Sequence, residues 1–210
     1  MKFFSLALLT GLAVAAPADL VKRQTGINAN ELNGACREVT FIFARGSTEA
    51  GNMGTIIGPP VSDGLKRRFS TATQGVDYPA RLATNFGLNN ADPTGVRDMQ
   101  SKLRSIAGRC PNTKIVVGGY SQGAAITHQA LETLDSATRN MIVGAVTFGD
   151  TRNLQDGGRI PNYPPSQTRI FCNISDTVCF GTLIITAGHL TYGTDADAAV
   201  RFLAGLIERA

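Results

Sequence analysis

The sequence predicts an α/β fold: a single domain with a central, mostly parallel β-sheet flanked by helices on both faces. Four runs of β-branched and apolar residues are largely apolar rather than alternating, which is typical of strands buried on both faces. Amphipathic helical patterns lie between these runs, and strands that alternate with helices favour a parallel sheet. Because such sheets carry their sites at the carboxyl ends of the strands, we expect the functional residues there.

The elements are predicted in a regular order along the chain. The strands are expected at 38–43, 114–118, 142–148 and 168–172, and the helices at 61–69, 94–107, 121–134 and 195–209. The second helix follows Asp92-Pro93, a signal for a helix start, and places apolar residues at intervals of three or four. The last helix repeats apolar residues along one side in the same way.

The first 23 residues have the features of segments removed during secretion. Lys2 precedes an apolar run that ends at Val14-Ala15-Ala16, a small-residue cleavage site, so residues 1–16 are predicted to be a signal peptide. Residues 17–23 end in Lys22-Arg23 and are predicted to be a propeptide. We therefore expect a secreted, extracellular domain of residues 24–210. No apolar run approaches the ~20 residues that cross a bilayer, so no stable membrane insertion is expected.

The charge and the cysteine content indicate which ligands the protein is not expected to bind. The net charge is +4, and the one basic triplet, Lys66-Arg67-Arg68, is predicted to be a solvated helix face, so no nucleic acid partner is expected. Four cysteines in a secreted chain predict two disulfides, with three pairings open. Cys172 and Cys179 can close a local loop, which leaves Cys36 with Cys110. With the cysteines in bridges and two histidines far apart in sequence, we expect no metal and no cofactor.

The segment Gly119-Tyr120-Ser121-Gln122-Gly123 follows a predicted strand and precedes a predicted helix. A Gly-x-Ser-x-Gly motif in this setting predicts a nucleophile elbow, a sharp turn that presents the serine hydroxyl above the sheet. The glycines permit unusual backbone angles and close backbone approach. The alternative is a glycine-rich connection with an incidental serine, since glycine is common in this chain.

A nucleophilic serine needs a positioned base, and the chain has two histidines. His128 lies seven residues beyond Ser121 on the same predicted helix, about 10 Å along its axis, which is out of hydrogen-bond reach. We therefore predict that it is a surface or half-buried helix residue. His189 lies in a turn before the last helix, and the chain order serine, acid, histidine favours it as the base. The alternative is a polar surface histidine.

An acid must orient the base, and chain order places it between the serine and the histidine. The candidates are Glu132, Asp135, Asp150, Asp156 and Asp176. The first two lie towards the far end of the helix after the elbow, and the fourth lies in a glycine-rich surface stretch. Asp150 ends the third strand and remains a rival. Asp176 is favoured because a loop closed by Cys172 and Cys179 would hold it rigidly.

The oxyanion of an acyl-transfer intermediate also needs hydrogen-bond donors. One is expected to be the backbone N–H of Gln122, directly after the serine. The other is expected in the loop after the first strand, where Ser47 offers a backbone N–H and a hydroxyl. The alternative for that loop is a tight turn whose hydroxyl side chains cap a helix.

Five blocks of the sequence resemble fungal cutinases, in the order in which those proteins carry them. The blocks are Phe41 to Glu49 (FIFARGSTE), Gly118 to Ala124 (GGYSQGA), Gly157 to Tyr163 (GGRIPNY), Cys172 to Cys179 (CNISDTVC) and His189 to Gly193 (HLTYG). The resemblance covers essentially the whole chain after the N-terminal segments. It implies a small α/β-hydrolase, generally without a full lid, that cleaves the ester bonds of cutin and short acyl esters.

The resemblance also implies roles for particular residues. Ser121 would be the nucleophile, Asp176 the acid and His189 the base, with Ser47 and Gln122 in the oxyanion hole. The disulfides would be Cys36–Cys110 and Cys172–Cys179. Candidate substrate-binding residues are Tyr120, Leu82, Leu183, Ile185 and Leu190. For the four aliphatic residues the alternative is ordinary core packing.

Two positions limit the resemblance. Gly188 stands where cutinases commonly have proline, which is expected to loosen the turn that carries the histidine. Asn173-Ile174-Ser175 is a sequon, so Asn173 is a candidate glycosylation site within the loop of the acid.

The sequence thus predicts a secreted, monomeric serine esterase that acts on a polyester such as cutin or on lipid esters, through an acyl-enzyme. An acetylxylan esterase of related fold is the alternative within enzymes. A catalytically inactive secreted effector that binds the plant cell wall is the alternative from another class. A protease is disfavoured because no feature indicates an extended peptide-binding groove.

Overall fold

A five-stranded parallel sheet forms the centre of the molecule. The computed structural model describes residues 24–210, and the predicted signal peptide and propeptide lie outside this range. The strands are β1 Val39–Ala44, β2 Thr71–Gly75, β3 Lys114–Tyr120, β4 Ile142–Phe148 and β5 Thr168–Phe171. They lie in the order β2-β1-β3-β4-β5, and every neighbouring pair is parallel. The predicted fold class is confirmed.

Helices cover both faces of this sheet. They are α1 Gly58–Arg68, α2 Pro93–Arg109, α3 Gln122–Thr133, α4 Ser136–Arg139 and α5 Ala196–Ile207, with short 3₁₀ turns between elements. Helices α2 and α3 pack together on one face, and α1 and α5 on the other. Helix α1 begins three residues before its predicted start, because Pro59 and Pro60 occupy its first turn, where no backbone N–H is needed.

Successive side chains of a strand belong alternately to two hydrophobic layers, one on each face of the sheet. In β1, Phe41 and Phe43 belong to the layer under α1 and α5, whereas Ile42 and Ala44 belong to the layer under α2 and α3. This follows from the strand geometry, since successive side chains point to opposite faces. All four side chains are fully buried. A strand buried on both faces has to be apolar throughout, as the sequence pattern indicated.

The edge strand β2 was not predicted. Its sequence, Thr-Ala-Thr-Gln-Gly, has no apolar run; β1 is its only partner among the five strands, and residues 29–31 bond to its other edge. Polar contacts hold it instead: Thr73 Oγ1 lies 2.7 Å from Ser62 Oγ in α1, and the Thr73 backbone N–H donates to Glu31 at 2.9 Å. Edge strands tolerate such polar residues because one side of their backbone needs no strand partner.

Two disulfides cross-link segments outside the sheet. Cys36–Cys110 joins the segment before β1 to the end of α2, and Cys172–Cys179 closes the loop that follows β5. We call residues 172–179 the acid loop. No helix within residues 24–210 combines the length and the apolar character that a membrane span requires.

Candidate active site

Ser121 lies at a sharp turn between β3 and α3. Its backbone angles, φ 54° and ψ −119°, fall outside the helical and extended regions, and α3 begins at the next residue. Neither flanking glycine of the motif has room for a side chain: a Cβ on Gly119 would lie 2.0 Å from the Gly123 carbonyl oxygen, and one on Gly123 would lie 2.0 Å from the Ala44 carbonyl oxygen. The motif is therefore built as a nucleophile elbow, with its glycines where backbones meet.

Three polar side chains meet above the ends of β3, β4 and β5. His189 Nε2 lies 3.0 Å from Ser121 Oγ, and His189 Nδ1 lies 2.8 Å from Asp176 Oδ2. Asp176 is fully buried, His189 nearly so, and Ser121 is only 8% exposed. With the hydrogen on Nδ1 donated to the carboxylate, Nε2 is free to accept the serine proton.

The buried carboxylate of Asp176 receives several donors besides the histidine. Tyr192 Oη donates to Oδ2 at 2.7 Å, and the Val178 backbone N–H donates to Oδ1 at 3.1 Å. Burial raises the pKa of the Tyr192 hydroxyl, and its hydrogen bond to Asp176 raises it further, so Tyr192 stays a donor. These two hydrogen bonds fix the position of the carboxylate beside His189. The sequence patterns did not single out Tyr192.

A second tyrosine supports the histidine from the other side. Tyr120 Oη donates to the His189 backbone carbonyl at 2.8 Å, and the two ring centroids are 5.0 Å apart. Burial is the main cause that raises the pKa of Tyr120, so its hydroxyl also stays protonated. Tyr120 thus fixes the main chain of the histidine turn, which we define as residues 187–191, as well as lining the cleft.

The two expected oxyanion donors lie at the same end of the sheet. Gln122 is the first residue of α3, so its backbone N–H belongs to the first turn, where helix donors have no partner within the helix. Ser47 lines the cleft together with Ser121. Asn85 Nδ2 donates to Ser47 Oγ at 2.9 Å, which leaves the serine hydroxyl hydrogen available to another acceptor.

A carboxylate that the sequence analysis passed over shapes the loop of Ser47. Glu49 accepts from three backbone N–H groups, those of Gly46 at 2.7 Å, Thr55 at 2.8 Å and Ile56 at 3.0 Å. These bonds fix the loop after β1 against the turn before α1. Glu49 stands in the block FIFARGSTE, but its partners are set by the fold and no pattern in the sequence marks them.

A cleft of about 630 Å³ opens onto Ser121. The proposed substrate-binding residues, Tyr120, Leu82, Leu183, Ile185 and Leu190, all line it. Four apolar side chains that line the cleft are between 51% and 74% exposed. We call these four residues the apolar rim: Leu82, Phe86, Ile185 and Leu190. Core packing therefore does not account for the three of these that the sequence singled out. Leu183 is half-buried.

The structure contains a second histidine–carboxylate cluster, behind the elbow. His128 is fully buried, with Nε2 2.8 Å from Asp150 and Nδ1 2.6 Å from Asp156. The prediction that His128 is a surface or half-buried residue was wrong. Asp156 does lie in an exposed, glycine-rich stretch, but its side chain is only 8% exposed and also binds Arg152. Asp150, the rival acid, thus pairs with the histidine that does not contact the serine.

Comparison with known proteins identifies the relatives of this chain. The family profile described as Cutinase matches residues 35–207. "Probable cutinase 3" of Neosartorya fischeri is 50% identical, over 97% of this chain and 96% of the relative. A solved structure, Trichoderma reesei cutinase in complex with a C11Y4 phosphonate inhibitor, superposes with a TM-score of 0.78 at 35% identity, covering 87% of this chain and 80% of that one.

A more distant structure shares only the fold. The catalytic core domain of acetyl xylan esterase from Trichoderma reesei has a TM-score of 0.65 at 21% identity, covering 82% of this chain and all of that one. The parallel sheet, the elbow and the Ser–His–Asp contacts define a serine hydrolase of the α/β class. Within that class the chain belongs to the cutinase family, whose members are carboxylic ester hydrolases.

Proposed function

We propose that this protein is a secreted cutinase that hydrolyses the ester bonds of cutin, and short- to medium-chain acyl esters, through an acyl-enzyme on Ser121. The observation that carries the proposal is the continuous hydrogen-bond path from Ser121 Oγ through His189 to the buried carboxylate of Asp176. Relatives named as cutinases, 50% identical over nearly the whole chain, support the choice of substrate.

The chemistry follows from the positions of the groups. As Ser121 Oγ attacks the ester carbonyl carbon, its proton passes to His189 Nε2, and Asp176 stabilises the imidazolium from the other side. The carbonyl oxygen becomes an oxyanion, which the Gln122 N–H and Ser47 would bind. The carbon–oxygen bond to the alcohol then breaks, and the alcohol takes the proton from His189. Water repeats the sequence on the acyl-enzyme and releases the acid.

The shape and composition of the cleft support a polymeric, aliphatic ester. The apolar rim stands exposed at the mouth, where it would contact the acyl chain or the polymer surface rather than a sugar backbone. Acetylated polysaccharide is the alternative substrate, because an acetyl xylan esterase shares the fold. Release of C16 hydroxy acids from cutin, compared with release of acetate from acetylated xylan, distinguishes the two. Acetate release alone would refute the cutin assignment.

The roles in the triad are tested by matched histidine variants. Ser121→Ala and His189→Gln should each lower kcat for a p-nitrophenyl ester by about 10⁴-fold or more, with circular dichroism unchanged. His128→Gln, a change of the same chemistry outside the triad, should keep most of the activity. Substantial turnover by Ser121→Ala would exclude Ser121 as the nucleophile. Covalent labelling of Ser121 by an organophosphonate is expected in the wild type, and its failure would favour an inactive, wall-binding effector.

A further inference from the structure

The side-chain amide of Asn173 joins the acid loop to both ends of the histidine turn. Its Nδ2 donates to the Gly188 carbonyl oxygen at 3.1 Å and to Thr191 Oγ1 at 3.0 Å. These two acceptors stand on either side of His189 in the chain. Thr191 Oγ1 itself donates to the Gly188 carbonyl oxygen at 3.0 Å, so the three groups close a small ring of hydrogen bonds.

The backbone of Asn173 contacts the groups that surround the acid. Its N–H donates to Tyr192 Oη at 3.0 Å, and the same oxygen donates to Asp176 Oδ2. Its carbonyl oxygen accepts from the Asp176 backbone N–H at 2.8 Å. Asn173 therefore contacts Asp176, Tyr192 and the histidine turn, which together set the 2.8 Å separation between His189 Nδ1 and Asp176 Oδ2 from one side.

The acid loop and the histidine turn also touch backbone to backbone. A Cβ on Gly188 would lie 2.2 Å from Ser175 Oγ, 3.0 Å from the Ser175 carbonyl carbon and 3.1 Å from the Asp176 nitrogen. Glycine in place of the proline common in cutinases thus allows a close approach here, rather than only loosening the turn. Across such a contact, a short side chain that bonds to both segments can fix their relative position.

We propose that Asn173 is a positioning residue that holds His189 against Asp176, and that the active enzyme carries no glycan on its sequon. The inference rests on the proposed function, because it assigns a role to the same triad. N-glycosylation forms a carbon–nitrogen bond from the amide to the sugar of a lipid-linked oligosaccharide, releases the lipid pyrophosphate and removes one amide hydrogen. A glycosylated Asn173 would retain one N–H, so it would lose one of its two bonds to the histidine turn.

The three residues of the sequon differ in their exposure to solvent. Ile174 is 96% exposed and Ser175 is exposed, whereas Asn173 is half-buried with its amide turned to the histidine turn. The sequon therefore offers a variant pair that separates the two roles. Ser175→Ala abolishes the sequon and keeps the amide, and Asn173→Ala abolishes both.

The kinetic test uses full-length protein made in the oxidising periplasm of a bacterium without N-glycosylation. Asn173→Ala should lower kcat for p-nitrophenyl butyrate about tenfold with little change in KM, because a small displacement of a catalytic group costs rate rather than binding. Ser175→Ala should match the wild type in both. Thr191→Val, which removes one acceptor, should lie between and serves as the second variant if Asn173→Ala does not fold.

The results separate this inference from the proposed function. An Asn173→Ala enzyme with wild-type kcat, whether or not it has lost thermal stability, would overturn the positioning role. An active Ser121→Ala enzyme in the same preparation would instead overturn the proposed function. Intact-mass analysis of protein secreted by a fungal host completes the test. An unmodified Asn173, or a glycoform with lowered kcat, supports the exclusion, and a glycoform as active as bacterial protein overturns it.

Discussion

His128 is a cation enclosed in the protein interior. Burial alone would lower its pKa, but the carboxylates of Asp150 and Asp156 outweigh that effect and raise the pKa to about 9. The pKa of Asp156 falls to about 2, since hydrogen bonds from His128 and Arg152 exceed the opposing effect of burial. The Asp150 pKa is lowered as well, against burial, by the charge of His128. The cluster therefore holds two positive and two negative groups at neutral pH.

This cluster predicts a specific dependence of stability on pH. A histidine whose pKa is raised on folding contributes its full stabilisation below the unfolded pKa of about 6.5, and loses it as the pH rises through about 9. At pH 6, His128→Gln should lower the free energy of unfolding by about 3 kcal/mol, because it leaves buried carboxylates without their cation. Towards pH 10 the difference from wild type should shrink by a similar amount.

Urea unfolding at intervals from pH 6 to 10 measures this difference. Because both proteins share all titrating groups outside this cluster, subtraction isolates the contribution of His128 together with its effect on Asp150 and Asp156. A difference that stays constant over the whole range would mean that His128 is not charged in the folded protein.

Sequence reasoning placed these residues correctly only in part. The helical spacing of seven residues was enough to remove His128 from contact with Ser121. It could not predict burial, because the partners lie 22 and 28 residues further along the chain and meet the ring only when α3 packs on the loop after β4. A charged cluster closed by tertiary contacts has no local signature.

At the scale of elements, the two disulfides differ in what they hold. Cys36–Cys110 closes a long stretch of chain that contains β1, β2, α1 and α2, whereas Cys172–Cys179 closes only the acid loop. The cost of chain closure in the unfolded state rises with loop length. The long bridge therefore chiefly stabilises the domain, and the short bridge chiefly fixes the position of Asp176.

Paired alanine variants should separate these effects. Removing Cys36 and Cys110 together should lower the free energy of unfolding by about 4 kcal/mol and leave kcat within about twofold at temperatures where the domain is folded. Removing Cys172 and Cys179 together should cost only about 2 kcal/mol but lower kcat about tenfold or more. Urea unfolding and p-nitrophenyl ester kinetics on both variants measure this. The reverse pattern of losses would contradict the division.

Three of the four strands that the sequence predicted, β1, β3 and β4, lie in the interior of the sheet and are largely apolar and buried. The fourth, β5, is an edge strand that is only partly buried, and the bounds of all four agree to within a few residues of the predicted ones. The edge strand β2 was not predicted, because its threonines and glutamine are also typical of a loop. The residues that hold the site in place were missed for another reason. Glu49, Asn85 and Tyr192 form hydrogen bonds with partners that come near only when the chain is folded.

At the scale of the whole molecule, four exposed apolar side chains stand together at the mouth of the cleft. The apolar rim surrounds the cleft, at the end of the sheet where Ser121 lies. Contact with a solid polyester would remove these side chains from water, and each large side chain so buried is worth about 1.5 kcal/mol or less. The enzyme is therefore expected to adsorb with its cleft towards the substrate.

Polar replacement of the rim should uncouple adsorption from chemistry. Leu82→Gln combined with Ile185→Gln should reduce adsorption to cutin, and turnover of it, by about tenfold, while kcat on a soluble short ester changes much less. Ile174→Gln is the matched control, because Ile174 is 96% exposed but does not line the cleft. Binding to cutin particles and rates on both substrates measure the effect. Equal losses for the rim variant and the control would exclude oriented adsorption.

A working esterase is a hazard to the cell that makes it, because membrane lipids are esters themselves. Here the carboxylate that orients His189 sits inside a ring that exists only after two thiols have been oxidised. In the reducing cytosol these two thiols would stay reduced, so the loop that carries Asp176 would not be closed by a disulfide. Full activity is therefore expected only where an oxidising compartment allows the bridge between Cys172 and Cys179 to form.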